Sequence, residues 1–421
     1  WLMDIYQDNN KNMWLASYSG GINKHSPLTS LFHHRLADKN YRIESFTETS
    51  DGTIWFSTEQ QGLLKLTPSK DIINIKLQLN EDIKQVLTAK NDSLLLYTYS
   101  GKLFNYLYKT NQLIQHDKWT EEISNGINSQ LVNIDNSFFY IKNGVLHSYN
   151  TDSQKFIDLP KIKNVKLINI QKDENDNLWL ISSQNKVFTF SLQTKYFLDK
   201  KIKFPESFKS IRLRNFKVSN NWLWLDSDTQ GVILVNKKTN KSTLFNKNSK
   251  LRDNNISSII IDQKENAWLA TNTGISVIIP STKEIFFFDK DFGIKTPQFY
   301  ELTALKSNNN QLLFGSPNGF YQFTPENLLH IKQSISKPVF TNLYVVNKKI
   351  IVQEKDKNSL TENSYTINKQ LNSIDKVELA YKQSPIIFEF TSPNTKLPTQ
   401  LNYRFRLIGK RPRLFSNEVG V

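Results

Sequence analysis

One pattern constrains this chain more than any other. A turn rich in Asp, Asn and Gly, then a tryptophan on a short apolar run, then a glycine, recurs along most of its length. The clearest copies run from Asp8 to Gly21, Asp51 to Gly62, Asp173 to Trp179 and Asp262 to Gly274, with weaker ones around Trp224 and Leu313. Aligned on the tryptophan position, the series is Trp14, Trp55, Leu95, Phe139, Trp179, Trp224, Trp268 and Leu313. The spacings are 41, 40, 44, 40, 45, 44 and 45 residues. Leu95 and Phe139 are degenerate members, marked by apolar runs followed by Gly101 and Gly144. A steady period of this length signals repeated units that bury their apolar faces on one another.

Each unit reads as strands. An apolar alternating run such as Ile256 to Ile261 leads into a turn whose Asp, Asn and Gly residues suit positive φ and side-chain-to-backbone bonds. The Trp strand follows, then a third strand such as Gly62 to Leu66 and a fourth such as Ser242 to Phe245. Four short antiparallel strands in roughly 40–45 residues make the blade of a β-propeller. The 3.6-residue periodicity that a helical solenoid requires is absent. Trp14, Trp55, Trp179, Trp224 and Trp268 are then blade-core residues, each gluing one sheet to the next.

Composition narrows the class further. Hydrophobic residues are 38% and aromatics 12%, too apolar-poor for a membrane bundle and too aromatic for a disordered chain. The longest apolar runs are strand-sized, far below the ~18 residues that span a bilayer. The absence of cysteine removes disulfides, thiolate metal sites and cysteine nucleophiles, and leaves the compartment open. Net charge is +15, which favours an anionic partner, although the lysines are dispersed. The chain opens at Trp1 inside a patterned segment, as a fragment of a longer protein would.

The turn, Trp strand and following Gly-Leu or Gly-Ile of Asp51 to Leu63 and Asp262 to Ile275 resemble the repeat of the two-component regulator propeller family. Asn318 to Leu328 looks like that family's closing blade, and Lys337 to Lys348 like the strand that follows the propeller. The run from Val377 through Tyr381, Phe390 and Tyr403 to Gly409 resembles its small immunoglobulin-like sandwich with recurring tyrosines. The resemblance implies an all-β fold: a seven-bladed propeller of four-stranded antiparallel blades, followed by an incomplete immunoglobulin-like β-sandwich. Residues 1–40 would hold the last blade of an upstream propeller, with a strand at 28–33 available to close the next ring. Residues 41–330 would form the propeller and 338–421 the sandwich. A single eight-bladed ring is the competing count.

Family members of this architecture are periplasmic parts of hybrid two-component sensors in polysaccharide-degrading bacteria. The resemblance therefore implies a non-catalytic, oligosaccharide-binding homodimer in the periplasm, joined through a membrane helix to a cytoplasmic histidine kinase that controls polysaccharide-utilisation genes. It brings no cofactor, no metal and no nucleic acid. The positive charge favours an acidic glycan.

In a propeller, the loops after the Trp strand and those between blades converge on one face, where ligands meet them. The first set contributes Tyr18, Glu59, Gln60, Tyr99, Asp228, Gln230 and Asn272. The second contributes Arg35, Tyr41, Arg42, Arg252, Asn254, Gln298, Tyr300 and Glu301. Aromatic faces stack on sugar rings, while Arg, Asn and Gln give directional hydrogen bonds. Tyr18, Arg42, Gln60, Tyr99, Arg252, Asn254, Gln298 and Tyr300 are the foremost candidates.

Two other classes compete. A sialidase- or lyase-like propeller enzyme needs a distinctive pair of carboxylates or an arginine triad, and the repeat grammar places neither. A propeller scaffold would use the basic group Arg404, Arg406, Lys410, Arg411 and Arg413, which reads more simply as a solvated sandwich face. His33-His34 on a strand would point to opposite faces and is an ordinary surface pair. The acidic stretch Asp173 to Asp176 reads as a turn before it reads as a calcium site.

Overall fold

The computed structural model describes residues 1–119, 127, 129–204, 211–295, 298–330, 337–352, 366–367, 370–374, 385–392, 405–407 and 413–415. The chain divides into two units, Ser26–Leu328 and a second made of Trp1–His25 with Leu329–Val421.

Within Ser26–Leu328 the described residues form seven four-stranded antiparallel sheets. Blade 1 is the meander Ile43–Glu48, Ile54–Thr58, Gly62–Leu66 and Ile72–Ile75. The same order repeats from Ile83 to Gln115, Val132 to Ile157, Leu167 to Asp199, Leu213 to Phe245 and Ile256 to Phe288 as blades 2 to 6. Blade 7 takes Ala304–Lys306, Leu312–Ser316 and Gly319–Phe323 from its own stretch. Its outer strand, His33–Arg35, comes from the start of the unit. His34 stands opposite Tyr321 and Arg35 opposite Phe320, so the two ends of the unit close the ring by hydrogen bonds. The fold is an all-β, seven-bladed propeller.

The closing strand lies later than the 28–33 expected from the sequence. Pro27 starts a 3-10 turn, Pro27–Ser30, capped by the Ser26 side chain. Proline brings no N–H to a ladder, and its fixed φ suits a helical first turn, so pairing begins only at His33. Trp14 lies in the other unit, so the ring has seven blades among the described residues, not eight.

Alternate side chains of a strand face opposite neighbours. Trp55 therefore packs on Ile83, Val86, Leu94 and Leu96 of blade 2, and Trp179 on Leu213, Phe216, Leu223 and Leu225 of blade 5. Trp224 packs likewise on Ile256, Ile259 and Leu269 of blade 6. Trp55, Trp179, Trp224 and Trp268 are all 5% exposed or less. Blade 2 carries Leu95 at this position, and a tryptophan outside the repeat compensates. Trp119, from the loop into blade 3, joins Leu95 against Phe138, Tyr140 and Tyr149 and donates its indole N–H to the Gly101 carbonyl at 2.9 Å.

The turn before each tryptophan has a specific chemistry. The carboxylates of Asp173 and Asp262 each accept the indole N–H of the tryptophan six residues on, Trp179 and Trp268, at 2.9 Å. The same carboxylates accept backbone N–H groups of the turn, including those of Asn177 and Asn266. In blade 1 the Thr49 hydroxyl takes this place, accepting from Trp55 at 3.2 Å. One side chain thus ties turn, strand and indole together.

In the second unit, Leu2–Gln7, Met13–Ser17 and Gly21–His25 make a three-stranded sheet with the same turn, Trp14 donating to Asp8 at 2.9 Å. Trp14 is only partly buried there. Beyond the propeller, Val339–Val345, the linker strand of the sequence reading, pairs antiparallel with Ile386–Thr391. A small cluster of Leu343, Val345, Ile350 and Ile367 lies in this region. Phe405–Leu407 pairs with Arg413–Phe415. Tyr381, Tyr403 and the run 377–380 lie outside the described residues, as do Arg404, Lys410 and Arg411.

Candidate ligand-binding face

The meander sends the turn after each first strand to one side of the ring. The loops after the second strand and between blades go to the other. A bulge shapes that second side. Pairing of the first two strands slips between Ile43 and Ser45 in blade 1, Leu167 and Asn169 in blade 4, Leu213 and Asn215 in blade 5, and Ile256 and Ser258 in blade 6. A bulge re-aims the extra side chain. In blades 1 and 5 the extra residues are Glu44 and Arg214, and both serve the loops.

Around Glu44 four expected residues meet. The Arg42 guanidinium pairs with Glu44 at 2.8 Å and Glu59 at 3.5 Å, and lies 4.3 Å from the centre of the Tyr300 ring. The Tyr99 hydroxyl donates to Glu44 at 2.5 Å while the residue stays 55% exposed. Burial, and then the acceptor Glu44, push the Tyr99 phenol well above its ordinary pKa. These residues come from loops of blades 1, 2 and 7. Gln60 sits beside them at φ 69°, its N–H donating to Asp82 at 3.0 Å.

A second group surrounds Arg214. It donates to Asp226 from Nε at 3.1 Å and Nη2 at 2.9 Å, and to Glu301 from Nη1 at 2.6 Å. Asp226 is 2% exposed, and its other oxygen has no hydrogen-bond partner among the described residues. Burial raises its pKa to about 7, against the pull of Arg214. Because Tyr300 and Glu301 are adjacent, one loop ties the Arg42 group to the Arg214 group. The same loop is pinned where the Leu302 N–H donates to the Ser257 carbonyl at 3.2 Å.

Other expected residues are elsewhere. Tyr18 belongs to the second unit, on the turn after Met13–Ser17, 81% exposed. Arg35 is in the closing strand, bonded to Gln322 at 3.2 Å, because that strand starts later than expected. Arg252 lies 4.9 Å from the Phe287 ring, and Asn254 accepts from the Lys247 N–H at 2.8 Å. Tyr41 accepts from the Gly319 N–H at 2.9 Å. Asp228 and Gln230 occupy the blade 5 turn, where Gln230 N–H donates to Ser227 at 3.0 Å. Gln298 and Asn272 are exposed. His33 is exposed and His34 half-buried: His34 stacks on Tyr321 at 4.1 Å and meets the Asn318 carbonyl at 2.8 Å. Asp173 is occupied by its turn and Trp179. Glu44, Arg214 and Asp226 escaped the sequence reading because they sit on strands, and only the bulge turns the first two toward the loops.

This geometry defines a class: a seven-bladed propeller whose loop side presents aromatic rings, a guanidinium and carboxylates around one mouth. Comparison with known proteins agrees with the fold. The extracellular domain of BT3049 from B. thetaiotaomicron, assigned to a hybrid two-component system, superimposes with a TM-score of 0.71 and 21% identity. The alignment takes in the whole of this chain and 56% of that one. A curated relative, histidine kinase P4 of Formosa agariphila, is 22% identical over 94% of this chain and 30% of its own length. The chain thus spans about a third of the kinase and just over half of the solved domain. Virginiamycin B lyase from Staphylococcus aureus shares the propeller with a TM-score of 0.55 and 12% identity, over 70% of this chain and 98% of the lyase. No protein-family model matches the chain.

Proposed function

We propose that this chain is the extracytoplasmic, ligand-sensing region of a hybrid two-component sensor histidine kinase, and that its ligand is an oligosaccharide released from a glycan. The observation that carries this reading is the meeting of Arg42, Glu59, Tyr99 and Tyr300 from three blades at one mouth. The exposed Tyr99 ring offers a stacking surface, and the Arg42 guanidinium and its carboxylates offer directed donors and acceptors for hydroxyls. The likeness to a histidine kinase and to an extracellular sensor domain supports the signalling half. Glu44 and Glu59 are both held by Arg42, so neither stands ready as a general acid, which favours binding over glycoside cleavage.

In this reading the region is periplasmic, and the sugar favours one arrangement of a dimer. The β-sandwich then passes that bias to a membrane helix and the kinase, which governs polysaccharide-utilisation genes. Such coupling requires different affinities for the two arrangements. Among the described residues no helix is long and apolar enough to cross a membrane.

The test is calorimetry of the chain against neutral, uronate-containing and sulfated oligosaccharides, with Tyr99→Ala and Arg42→Ala alongside. One class binds, and each variant weakens it about tenfold or more. A weaker affinity at high salt marks an acidic sugar. Turnover of a saccharide, or binding unaffected by both substitutions, would overturn the reading.

A further inference from the structure

The axis of the ring is hollow. Two cavities of about 370 and 320 Å³ run along it, walled by the first strands of all seven blades. Gln171, Lys172, Lys217 and Ala304 line both. Lys217 sits between them on the first strand of blade 5. Among the described residues its ammonium has one polar contact, the Gln171 side-chain oxygen at 3.3 Å, and no carboxylate partner.

The carboxylates that line these cavities are engaged or exposed. Asp262 holds Trp268 and Asn266, Glu265 accepts from Asn221, and Asp135 pairs with Lys90 at 3.4 Å. Glu174 is exposed on the turn after Leu167–Lys172. The wall nearest Lys217 is amide. Gln171 donates to the Gln130 side chain at 3.5 Å, and Gln130 donates to the Leu302 carbonyl at 3.5 Å. Amides orient a cation without neutralising it.

We infer that the channel binds a small oxyanion, a carboxylate or a sulfate group, at Lys217. A half-buried ammonium with no carboxylate partner among the described residues keeps part of its desolvation cost, and an anion in the adjoining cavity relieves it. Desolvation draws its pKa down to about 8, which keeps most of it protonated at neutral pH and ready to pair. The amide chain ends on Leu302, next to Glu301 and Tyr300, so occupancy bears on the loop that joins the two groups at the mouth. The inference stands whatever docks at that mouth.

Titrations of the whole chain with sodium acetate and sodium sulfate, at fixed ionic strength, test it. Saturable binding at one site per chain is expected. It falls about tenfold or more in Lys217→Met and persists in Lys217→Arg. Lys306→Met, which alters an exposed lysine of the same cavity, leaves it unchanged. Should the methionine variant not fold, Lys217→Gln carries the same test. Glucuronate and glucose separate the sources. A Lys217-dependent response to glucuronate alone of the pair means that a saccharide's acid group enters the channel. A response to acetate and sulfate only means a free ion. Absence of saturation, or equal binding in wild type and Lys217→Met, overturns the inference.

Discussion

Asp262 shows how much one side chain can hold. Its carboxylate accepts the Trp268 indole, two backbone N–H groups and the Asn266 amide, all at 2.9 Å. Removing it leaves those donors, which lie within or beside a buried turn, without an acceptor. Asp262→Ala should therefore lower unfolding free energy by about 2–4 kcal/mol, read from denaturant titration of tryptophan fluorescence. Trp224 is the contrast: among the described residues its buried indole N–H has no partner, because its turn is one residue shorter and carries Ser219 where blade 6 carries Asp262. At this scale the repeated tryptophans were legible from spacing alone. The acid six residues before Trp14, Trp179 and Trp268 was present in the sequence too, but its role needs the turn's geometry, since nothing in the pattern says that carboxylate and indole point at each other.

Among elements, the closing strand matters most. His33–Arg35 is three residues long, yet it supplies the outer edge of blade 7 and brings residues 284 and more positions apart into register. His34→Pro would remove the stack on Tyr321 and the bond to the Asn318 carbonyl, so the ring seam weakens. We expect a loss of about 1–3 kcal/mol, with proteolytic cleavage of the region before residue 43 appearing well before global unfolding. The bulges are the other decisive elements. They turn Glu44 and Arg214 toward the loop side, and a strict alternation rule assigns those residues to an ordinary strand face. A pattern of period two cannot announce where an extra residue interrupts it.

For the molecule as a whole, the buried charges set the response to pH. Asp226 carries a pKa raised from 3.8 to about 7, so between those values the folded chain binds a proton that the unfolded chain has released. Stability must then fall as pH rises from about 4 to 7. Lys217 is lowered from 10.5 to about 8, and in that interval the unfolded chain holds the extra proton, so stability rises with pH. Thermal melts across pH 4 to 10 should show both limbs. Asp226→Asn flattens the lower limb and Lys217→Met the upper, and a profile unchanged by either substitution contradicts the assignment. What the amino-acid order determined by itself was the repeat: strands of fixed length, polar turns and an apolar residue every 40–45 positions specify blades, because each is a local pattern of burial and hydrogen bonding. Which strand seals the ring, which loop tryptophan replaces a missing one, and which charges meet at the mouth or line the channel were decided only by tertiary structure. Those contacts join residues hundreds of positions apart, and their energies depend on distance and desolvation, which no local pattern encodes.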